Sequence, residues 1–391
     1  MEPPPFPDDA PVQVAPKDIH RFPCSACGAD LRFDPAAGNL ICDHCGNIEE
    51  MEGRSRGPWA QQSAIRELDF RAALRDQLPA AELETTQVLN CQNCGAQVEF
   101  DPAIHAAECP FCASPVVTGT GENRHIKPRA VLPFALDEAA AHKAMKEWLG
   151  RLWFAPSGLQ KYARRGGKMD GVYAPYWTFD AQTRSEYRGQ RGTVYYQTRR
   201  VVINGKSTTQ RVAKVRWRGV SGRVARFFDD VLVLGSRSLP KSFTDALPPW
   251  DLSLLEPYTP GYLAGLRAEA YTLEIDDAFL EARAIMDRVI ERDVRFDIGG
   301  DRQRVHHIET ELSAVTFKHI LLPIWIAAYR FQGKSYRCVV NGQTGRVQGE
   351  RPWSTWKIAL AILAGVLVAG AIGYAIAVEQ GTVPSLGVGG F

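Results

Sequence analysis

Eight of the nine cysteines in this 391-residue chain form two copies of one spacing pattern. Each copy has two Cys-x-x-Cys pairs separated by fourteen residues, and the second copy lies 67 positions after the first. The text between the pairs also repeats, because Phe33-Asp34-Pro35-Ala36 returns as Phe100-Asp101-Pro102-Ala103. The cysteines are Cys24, Cys27, Cys42 and Cys45 in the first copy, and Cys91, Cys94, Cys109 and Cys112 in the second.

This spacing predicts two four-thiolate zinc ribbons. A tight turn places two sulfurs on one side of a metal ion, and a short hairpin returns the second pair to complete a tetrahedron. Gly28, Gly46 and Gly95 follow three of the pairs, where the backbone must turn close to the sulfurs, and Ala113 takes the fourth place. A ribbon of about thirty residues is too small to fold on its core alone. We therefore predict two structural Zn²⁺ ions per chain.

Two other interpretations of the cysteines are weaker. Disulfides require an oxidising compartment, and the N-terminus has no feature of a signal peptide. Iron is an alternative because Cys109-Pro110-Phe111-Cys112 resembles a rubredoxin pair, although rubredoxin sites separate their pairs more widely. The ninth cysteine, Cys338, lies in an apolar strand-like run and is predicted to be a core residue.

The C-terminal segment predicts a transmembrane helix over 357–378. Residues 358–378 contain no charge and no proline, and this segment of 21 residues is long enough to cross a hydrocarbon core. Arg346, Arg351 and Lys357 precede the span and Glu379 follows it, so the positive-inside rule predicts a single-pass inner-membrane protein with most of the chain in the cytoplasm. Small residues recur at every fourth position of this span, which favours close helix packing and a homo-oligomer; they are Ala361, Gly365, Ala369, Gly373 and Ala377.

The predicted fold class is α+β, with the two ribbons, a mostly antiparallel β domain with helices, and the C-terminal helix. We predict helices over about 61–78, 137–152 and 276–292, and a linker over 119–128. A Pro-x-Trp core occurs twice, at Pro175 and Pro323, which predicts an internal duplication of a β unit; Pro175 is expected at a sheet edge or strand start. The predicted segments are a disordered proline-rich arm (1–20), ribbon 1 (21–50), a helical linker (51–88), ribbon 2 (89–118), the α+β domain (125–350), the membrane helix and a tail (379–391).

Charge is distributed unevenly along the chain. Residues 20–118 contain 7 Lys/Arg and 14 Asp/Glu, and ribbon 2 has no Lys or Arg, so the ribbons are expected to contact protein rather than nucleic acid. Residues 184–226 contain twelve Lys/Arg and one acid, Glu186. Within them Lys214, Arg216 and Arg218 alternate with apolar residues, which predicts a basic strand face. Three interpretations of this face are open. It is simply solvated, or it binds anionic lipid or an acidic partner, or it binds single-stranded nucleic acid.

We find no catalytic constellation in the sequence and expect no enzyme activity. Gly205-Lys206-Ser207 and Gly333-Lys334-Ser335 look like the ends of a P-loop, but the glycine required five positions upstream is Arg200 or Ala328. His306 and His307 lie near two glutamates without forming a His-Glu-x-x-His motif.

The ribbons together with three further motifs resemble a family of bacterial TFIIB-type zinc-ribbon membrane proteins over residues 20–378. The motifs are the aromatic run 173–180, the apolar run 317–325 and Val340-Asn-Gly-Gln-Thr-Gly345. Members are often labelled primosomal protein N′ (replication factor Y) or superfamily II helicase, but the helicase motifs are missing here. Some relatives are associated with phage-shock-type and flotillin-like (SPFH) membrane-stress proteins. The resemblance implies an adaptor that recruits protein partners; the alternative is a replication-related factor that binds nucleic acid.

Overall fold

The computed structural model describes residues 22–51, 65–99, 106–112, 114–117, 120–152, 169–203, 206–331, 334–350 and 354–379. The proline-rich arm (1–20) and nearly all of the tail (379–391) lie outside the described residues. The strands are β1 (Leu31–Asp34), β2 (Asn39–Cys42), β3 (Ile48–Glu49), β4 (Leu68–Asp69), β5 (Leu83–Asn90), β6 (Gln97–Glu99), β7 (Ala106–Glu108), β8 (Pro115–Val117), β9 (Thr120–Ile126), β10 (Ala130–Val131), β11 (Asp170–Ile203), β12 (Lys206–Leu234), β13 (Glu256–Pro257), β14 (Arg267–Ala268), β15 (Arg302–Phe331), β16 (Lys334–Asn341) and β17 (Val347–Gly349). The helices are α1 (Phe70–Leu74), α2 (Glu138–Gly150), α3 (Lys241–Thr244), α4 (Ile275–Ile298) and α5 (Thr355–Glu379), with 3₁₀ turns at Ala80–Glu82, Leu252–Leu254 and Pro260–Leu263.

The α+β class with a mostly antiparallel sheet is confirmed. The main sheet has the order β12-β11-β15-β10-β13, with β14 beside β11 and with β16 and β4 beside β15. β11, β12 and β15 contain 34, 29 and 30 residues. Antiparallel pairing connects β11 to both β12 and β15 over most of their length. These three strands form the scaffold on which the ribbons and helices lie.

The main sheet contains two βαββ units in the same order. The first is β10-α2-β11-β12 and the second is β14-α4-β15-β16. The first strand of each unit runs parallel to the long strand of the other unit. The two Pro-x-Trp segments pair antiparallel, with Tyr173 opposite Pro323 and Pro175 opposite Leu321. The two units are therefore arranged symmetrically around the segments that repeat in the sequence.

Pro175 lies inside β11 and not at an edge or a strand start. Its carbonyl accepts a hydrogen bond from Gly235 N, so its backbone polar groups point away from β15. On the side of β11 that faces away from β15, the pairing of β11 with β14 ends at Tyr173, and its pairing with β12 begins at Tyr176. The missing N–H of Pro175 therefore lies in the gap between two neighbouring strands, where no ladder hydrogen bond is lost.

Helix α4 covers one face of the long strands. It extends six residues beyond the predicted C-terminal end and is followed by Gly299, whose φ is 65°. Its buried residues recur every three or four positions and pack in one cluster with Trp177, Phe179 and Phe317. These buried residues are Ile275, Ala278, Ala282, Met286, Ile290, Val294 and Ile298.

Two segments differ from the predicted helix and linker. In the described part of 61–78, the chain forms strand β4 and then only the short helix α1, which Asp69 caps by accepting from Ala72 N at 2.7 Å. Phe70 directs this arrangement because its ring packs 4.3 Å from Phe279 and 6.0 Å from Phe179. Strand β5 occupies the end of the predicted helical linker, and residues 120–126 of the predicted loop form β9 beside it. The β5–β9 pairing connects ribbon 2 to the domain through hydrogen bonds that amphipathic periodicity does not reveal.

Candidate metal centres

The first four cysteines meet at one point at the edge of ribbon 1. Cys24 and Cys27 precede β1, Cys42 is the last residue of β2, and Cys45 lies in the turn that follows. The Sγ atoms of Cys24 and Cys45 are 3.6 Å apart, and those of Cys27 and Cys42 are 3.5 Å apart. Both turns are closed by backbone hydrogen bonds, with Gly28 N donating to Cys24 O and Gly46 N to Cys42 O, each at 2.8 Å. Positive φ angles of 75° and 74° at these glycines explain their position after the pairs.

Ribbon 2 repeats this geometry. The Sγ atoms of Cys91 and Cys112 are 3.6 Å apart, and those of Cys94 and Cys109 are 3.7 Å apart. Gly95 N donates to Cys91 O at 2.8 Å, and the φ of Gly95 is 74°. A hydrogen bond with Cys109 lowers the pKa of Cys94 to about 5 and raises the pKa of Cys109. These opposite shifts follow from the close approach of the two sulfurs.

Both sets of sulfurs fit a tetrahedral metal ion. Within each set the four Sγ atoms lie within 4.8 Å of one another. A tetrahedral ion with Zn–S bonds of about 2.3 Å would separate its sulfurs by about 3.8 Å, close to the spacings found here. The sulfurs are too far apart for disulfide bonds, and all nine cysteines are free thiols. Cys338 is buried in the core at 1% exposure, and burial raises its pKa to about 12.

The two ribbons differ in how deeply they are buried. In ribbon 1, Cys27 and Cys45 are exposed, whereas no cysteine of ribbon 2 is exposed. Ribbon 1 contacts the domain through Phe33, whose ring lies 5.3 Å from that of Tyr262. Ribbon 2 contributes the fully buried Phe111 to the core under the long strands, and its β6 is bonded to the segment before α4 through Ala270 N and Gln97 O. The metal site of ribbon 1 therefore faces the surface, and that of ribbon 2 faces the domain.

The three predicted basic residues lie on one exposed face of β12. Lys214, Arg216 and Arg218 are opposite Tyr195, Thr193 and Arg191 of β11. The pairing of β15 with β11 ends at Arg302, opposite Gly192. Residues 193–203 and 206–216 form a two-stranded ribbon beyond that point, which we call the basic arm. Arg218 lies at its base.

Helix α5 is long and apolar enough to cross a membrane. The span Trp356–Ala377 has a mean hydropathy of 2.3, and none of it is buried within the described protein. A core helix of a soluble protein would be mostly buried, so the exposure of α5 argues against that alternative. The predicted small residues lie along this helix. Apart from the helix's own backbone and the adjacent residues, no described atom lies within 4 Å of the place where a Cβ would stand at Gly365 or Gly373.

A buried ionic cluster in the main sheet was not predicted from the sequence. Lys318 Nζ lies 2.8 Å from Asp230 Oδ1, 3.2 Å from Glu67 Oε1 and 3.6 Å from Asp180 Oδ2. Irregular strand pairing beside Asp180 and a φ of 51° at Asp230 bring these groups together. Burial, with Glu67, raises the pKa of Asp180 to about 7. Burial alone would lower the pKa of Lys318, but its acidic neighbours raise it above the usual value. The sequence signal that could have indicated this cluster is the presence of charged residues, such as Asp180 and Lys318, within apolar strand-like runs.

His319 is a second buried titratable group, and it is held neutral. Its Nδ1 donates to Ile126 O at 2.7 Å, its ring lies 5.0 Å from Trp177 and 5.4 Å from Tyr271, and its Nε2 has no partner among the described residues. Burial lowers the pKa of His319 to about 3, and nearby His125 acts in the same direction.

We expect His319 to make the protein sensitive to acid between about pH 6.5 and pH 3. The unfolded chain takes up the proton in this window and the folded one does not, so the free energy of unfolding falls as the pH falls, by up to about 1.4 kcal/mol per unit. His319→Asn can keep the donor to Ile126 but does not titrate. Melting temperatures from pH 7.5 to 5.5 should therefore fall less steeply for the variant. Acid affects the ribbons equally in the wild type and the variant. If the melting temperatures of both proteins fell equally steeply with pH, His319 would not be the source of the acid sensitivity.

Comparison with known proteins identifies the first ribbon. A family model described as the zinc-finger of RNA-polymerase I-specific TFIIB, Rrn7, matches residues 18–50. The chain is also 25% identical over 344 residues to the Uncharacterized protein YdjG of Bacillus subtilis (strain 168), an alignment covering 87% of this chain and 92% of that protein. No solved structure matches. Nothing in these matches supports the name primosomal protein N′. The chain thus carries a TFIIB-type zinc ribbon and a second four-cysteine site of the same geometry. The family match is the basis for inferring zinc as the metal.

Proposed function

We propose that this protein is a membrane-anchored scaffold that faces the cytoplasm and recruits protein partners through ribbon 1. The observation that carries the proposal is the combination, in one chain, of a surface-facing zinc ribbon and an apolar helix long enough to span a membrane. The excess of Lys and Arg before α5 supports the cytoplasmic orientation. The small residues along α5 support self-association within the membrane.

Ribbon 1 has the surface chemistry of a protein-binding module. Residues 22–51 contain five acidic residues and one arginine, and that arginine, Arg32, is bound to Asp43 at 2.8 Å. Ile48 is an apolar side chain with 57% exposure in the middle of this acidic region. An apolar anchor with an acidic rim suits a partner that has an apolar pocket and basic residues around it. Some relatives in the zinc-ribbon family that the chain resembles are associated with phage-shock-type or flotillin-like proteins, and this association favours partners of those kinds.

Site-specific crosslinking tests this proposal in the native membrane. A photo-reactive amino acid is placed at position 48 of the full-length chain, and the crosslinked proteins are identified by mass spectrometry. We expect a defined partner at this position and its loss when Asp43→Lys and Glu50→Lys reverse the rim charge. Leu280 on α4 is a matched control because it is also apolar and has 68% exposure. The same products at both positions, or none at position 48, would refute the proposal.

A further inference from the structure

The basic arm is an extension of the sheet that no other described element covers. Its eleven residue pairs run from Thr193 opposite Arg216 to Ile203 opposite Lys206, and no third strand of the described chain pairs with them. Helix α4 ends at Ile298, close to the base of the arm. At about 3.3 Å per residue the arm projects by about 35 Å. A two-stranded ribbon of this kind is marginally stable alone in water, so a binding partner would stabilise it.

The arm carries cations on both faces and no acid. Six Lys or Arg and no Asp or Glu occur in 193–216. Because side chains alternate along a strand, the register places Arg199, Lys214 and Arg216 on one face, and Arg200 and Arg211 on the other. An exposed tyrosine accompanies the cations on each face. The Arg216 guanidinium lies 5.4 Å from the ring centroid of Tyr195, and that of Arg211 lies 5.0 Å from that of Tyr196.

The arm and the membrane helix leave the sheet at opposite ends. The arm begins beside Arg302, the first residue of β15. The chain leaves for α5 after β17, which pairs with β16 alongside the last third of β15. A strand of 30 residues extends for up to about 100 Å. Attraction to headgroups decays over roughly 8 Å at physiological salt, and a flat membrane would contact only one face of the arm. Both observations favour a polyanion in solution over the lipid surface.

We propose that the basic arm binds double-stranded DNA by entering its major groove. That groove is about 12 Å wide and admits a two-stranded β-ribbon. Phosphates border it on both sides, so the cations on both faces of the arm can neutralise them at once. The contact is to the backbone and is independent of base sequence. It concerns a surface distant from both ribbons and does not depend on the proposed recruitment by ribbon 1.

Salt-dependent binding measures the number of phosphates that the arm neutralises. The zinc-loaded full-length protein is placed in nanodiscs of zwitterionic phosphatidylcholine, and a labelled 20-base-pair DNA duplex is titrated by fluorescence anisotropy. With about five phosphate contacts, log K should fall against log salt with a slope of about −4 to −5. An RNA duplex should bind more weakly, because its major groove is too narrow. No binding, binding that salt does not weaken, or equal binding of the RNA duplex would overturn the proposal.

Matched double variants then test the use of both faces. Arg199→Gln with Lys214→Gln removes two cations from one face, and Arg200→Gln with Arg211→Gln removes two from the other. Each pair should weaken DNA binding at least about tenfold and reduce the slope by about 2, with an unchanged melting temperature because these side chains are solvated. Lys143→Gln with Lys146→Gln, on the exposed side of α2, is the control with the same charge change and should have no effect. An equal loss in the control would overturn the proposal, and so would a loss confined to the first pair. If only Arg199→Gln with Lys214→Gln weakens DNA binding, and the same double variant also loses binding to phosphatidylglycerol vesicles, the arm would instead be assigned to a membrane surface.

Discussion

Replacing Cys94 with serine is expected to remove one of two bound zinc ions and to destabilise the domain beneath ribbon 2. Metal binding supplies the folding free energy of a module this small, roughly 10 kcal/mol or more for a structural zinc site. Ribbon 2 places Phe111, Val98 and Ala96 in the same core as the central strands. Its unfolding would expose large buried side chains at about 1.5–3 kcal/mol each. The melting temperature of the metal-replete protein in detergent should fall by at least about 5 °C.

Cys27→Ser is the matched control for this experiment. It also removes one ligand and should also reduce the zinc content from two equivalents to one. Its effect on the domain should be smaller, because Cys27 is at the exposed end of a ribbon whose metal site faces the surface. Retention of two zinc equivalents by Cys94→Ser would contradict the metal assignment. Equal melting temperatures for the two variants would contradict the difference in burial.

The ribbon architecture could be predicted because it depends on local spacing. The cysteine pairs, and the glycines that follow three of them, specify turns whose hydrogen bonds all lie within six residues. Helices α2 and α4 were predicted for a similar reason, since one apolar face at a period of 3.6 residues is visible in the sequence. The fold class followed from these elements and from the β-branched and aromatic runs.

The parts that could not be predicted depend on pairing between distant residues. Nothing near Leu83 indicates that it pairs with Ile126, so the sequence predicts a helical linker and a loop where β5 and β9 lie. Residue propensity places Pro175 at a sheet edge or strand start, because propensity cannot reveal a gap between two neighbouring strands on one side of a central strand. The basic face of β12 was visible in the sequence, but its location on an isolated arm depends on where β15 begins.

The second large effect is expected at Lys318, whose removal leaves buried carboxylates without a cation. The Lys318 side chain is 9% exposed and faces Asp180, Asp230 and Glu67. Breaking a buried ion pair from one side costs about 3–5 kcal/mol, so Lys318→Met should lower the free energy of unfolding by about that amount at pH 7.5. The loss should be smaller at pH 5. Without Lys318, the pKa of Asp180 in the folded variant rises further above its value in the unfolded chain. The folded variant therefore keeps the proton on Asp180 at low pH, and its free energy of unfolding decreases as the pH rises and the unfolded chain loses that proton more readily.

Two further variants separate this mechanism from a simple packing defect. Adding Asp180→Asn and Asp230→Asn to Lys318→Met removes two of the three uncompensated charges and leaves only that of Glu67, which is 40% exposed. The acceptor at position 180 is kept for the amide of residue 230, which lies 2.6 Å away. Asparagine also tolerates the positive φ of residue 230, so this triple variant should recover most of the lost stability. Lys241→Met is the surface control, because Lys241 also contacts a carboxylate, that of Glu281 at 2.5 Å, but is 58% exposed and should cost no more than about 1 kcal/mol. If the triple variant were no more stable than Lys318→Met, the cost would lie in the lost volume of the lysine side chain and the electrostatic account would be wrong.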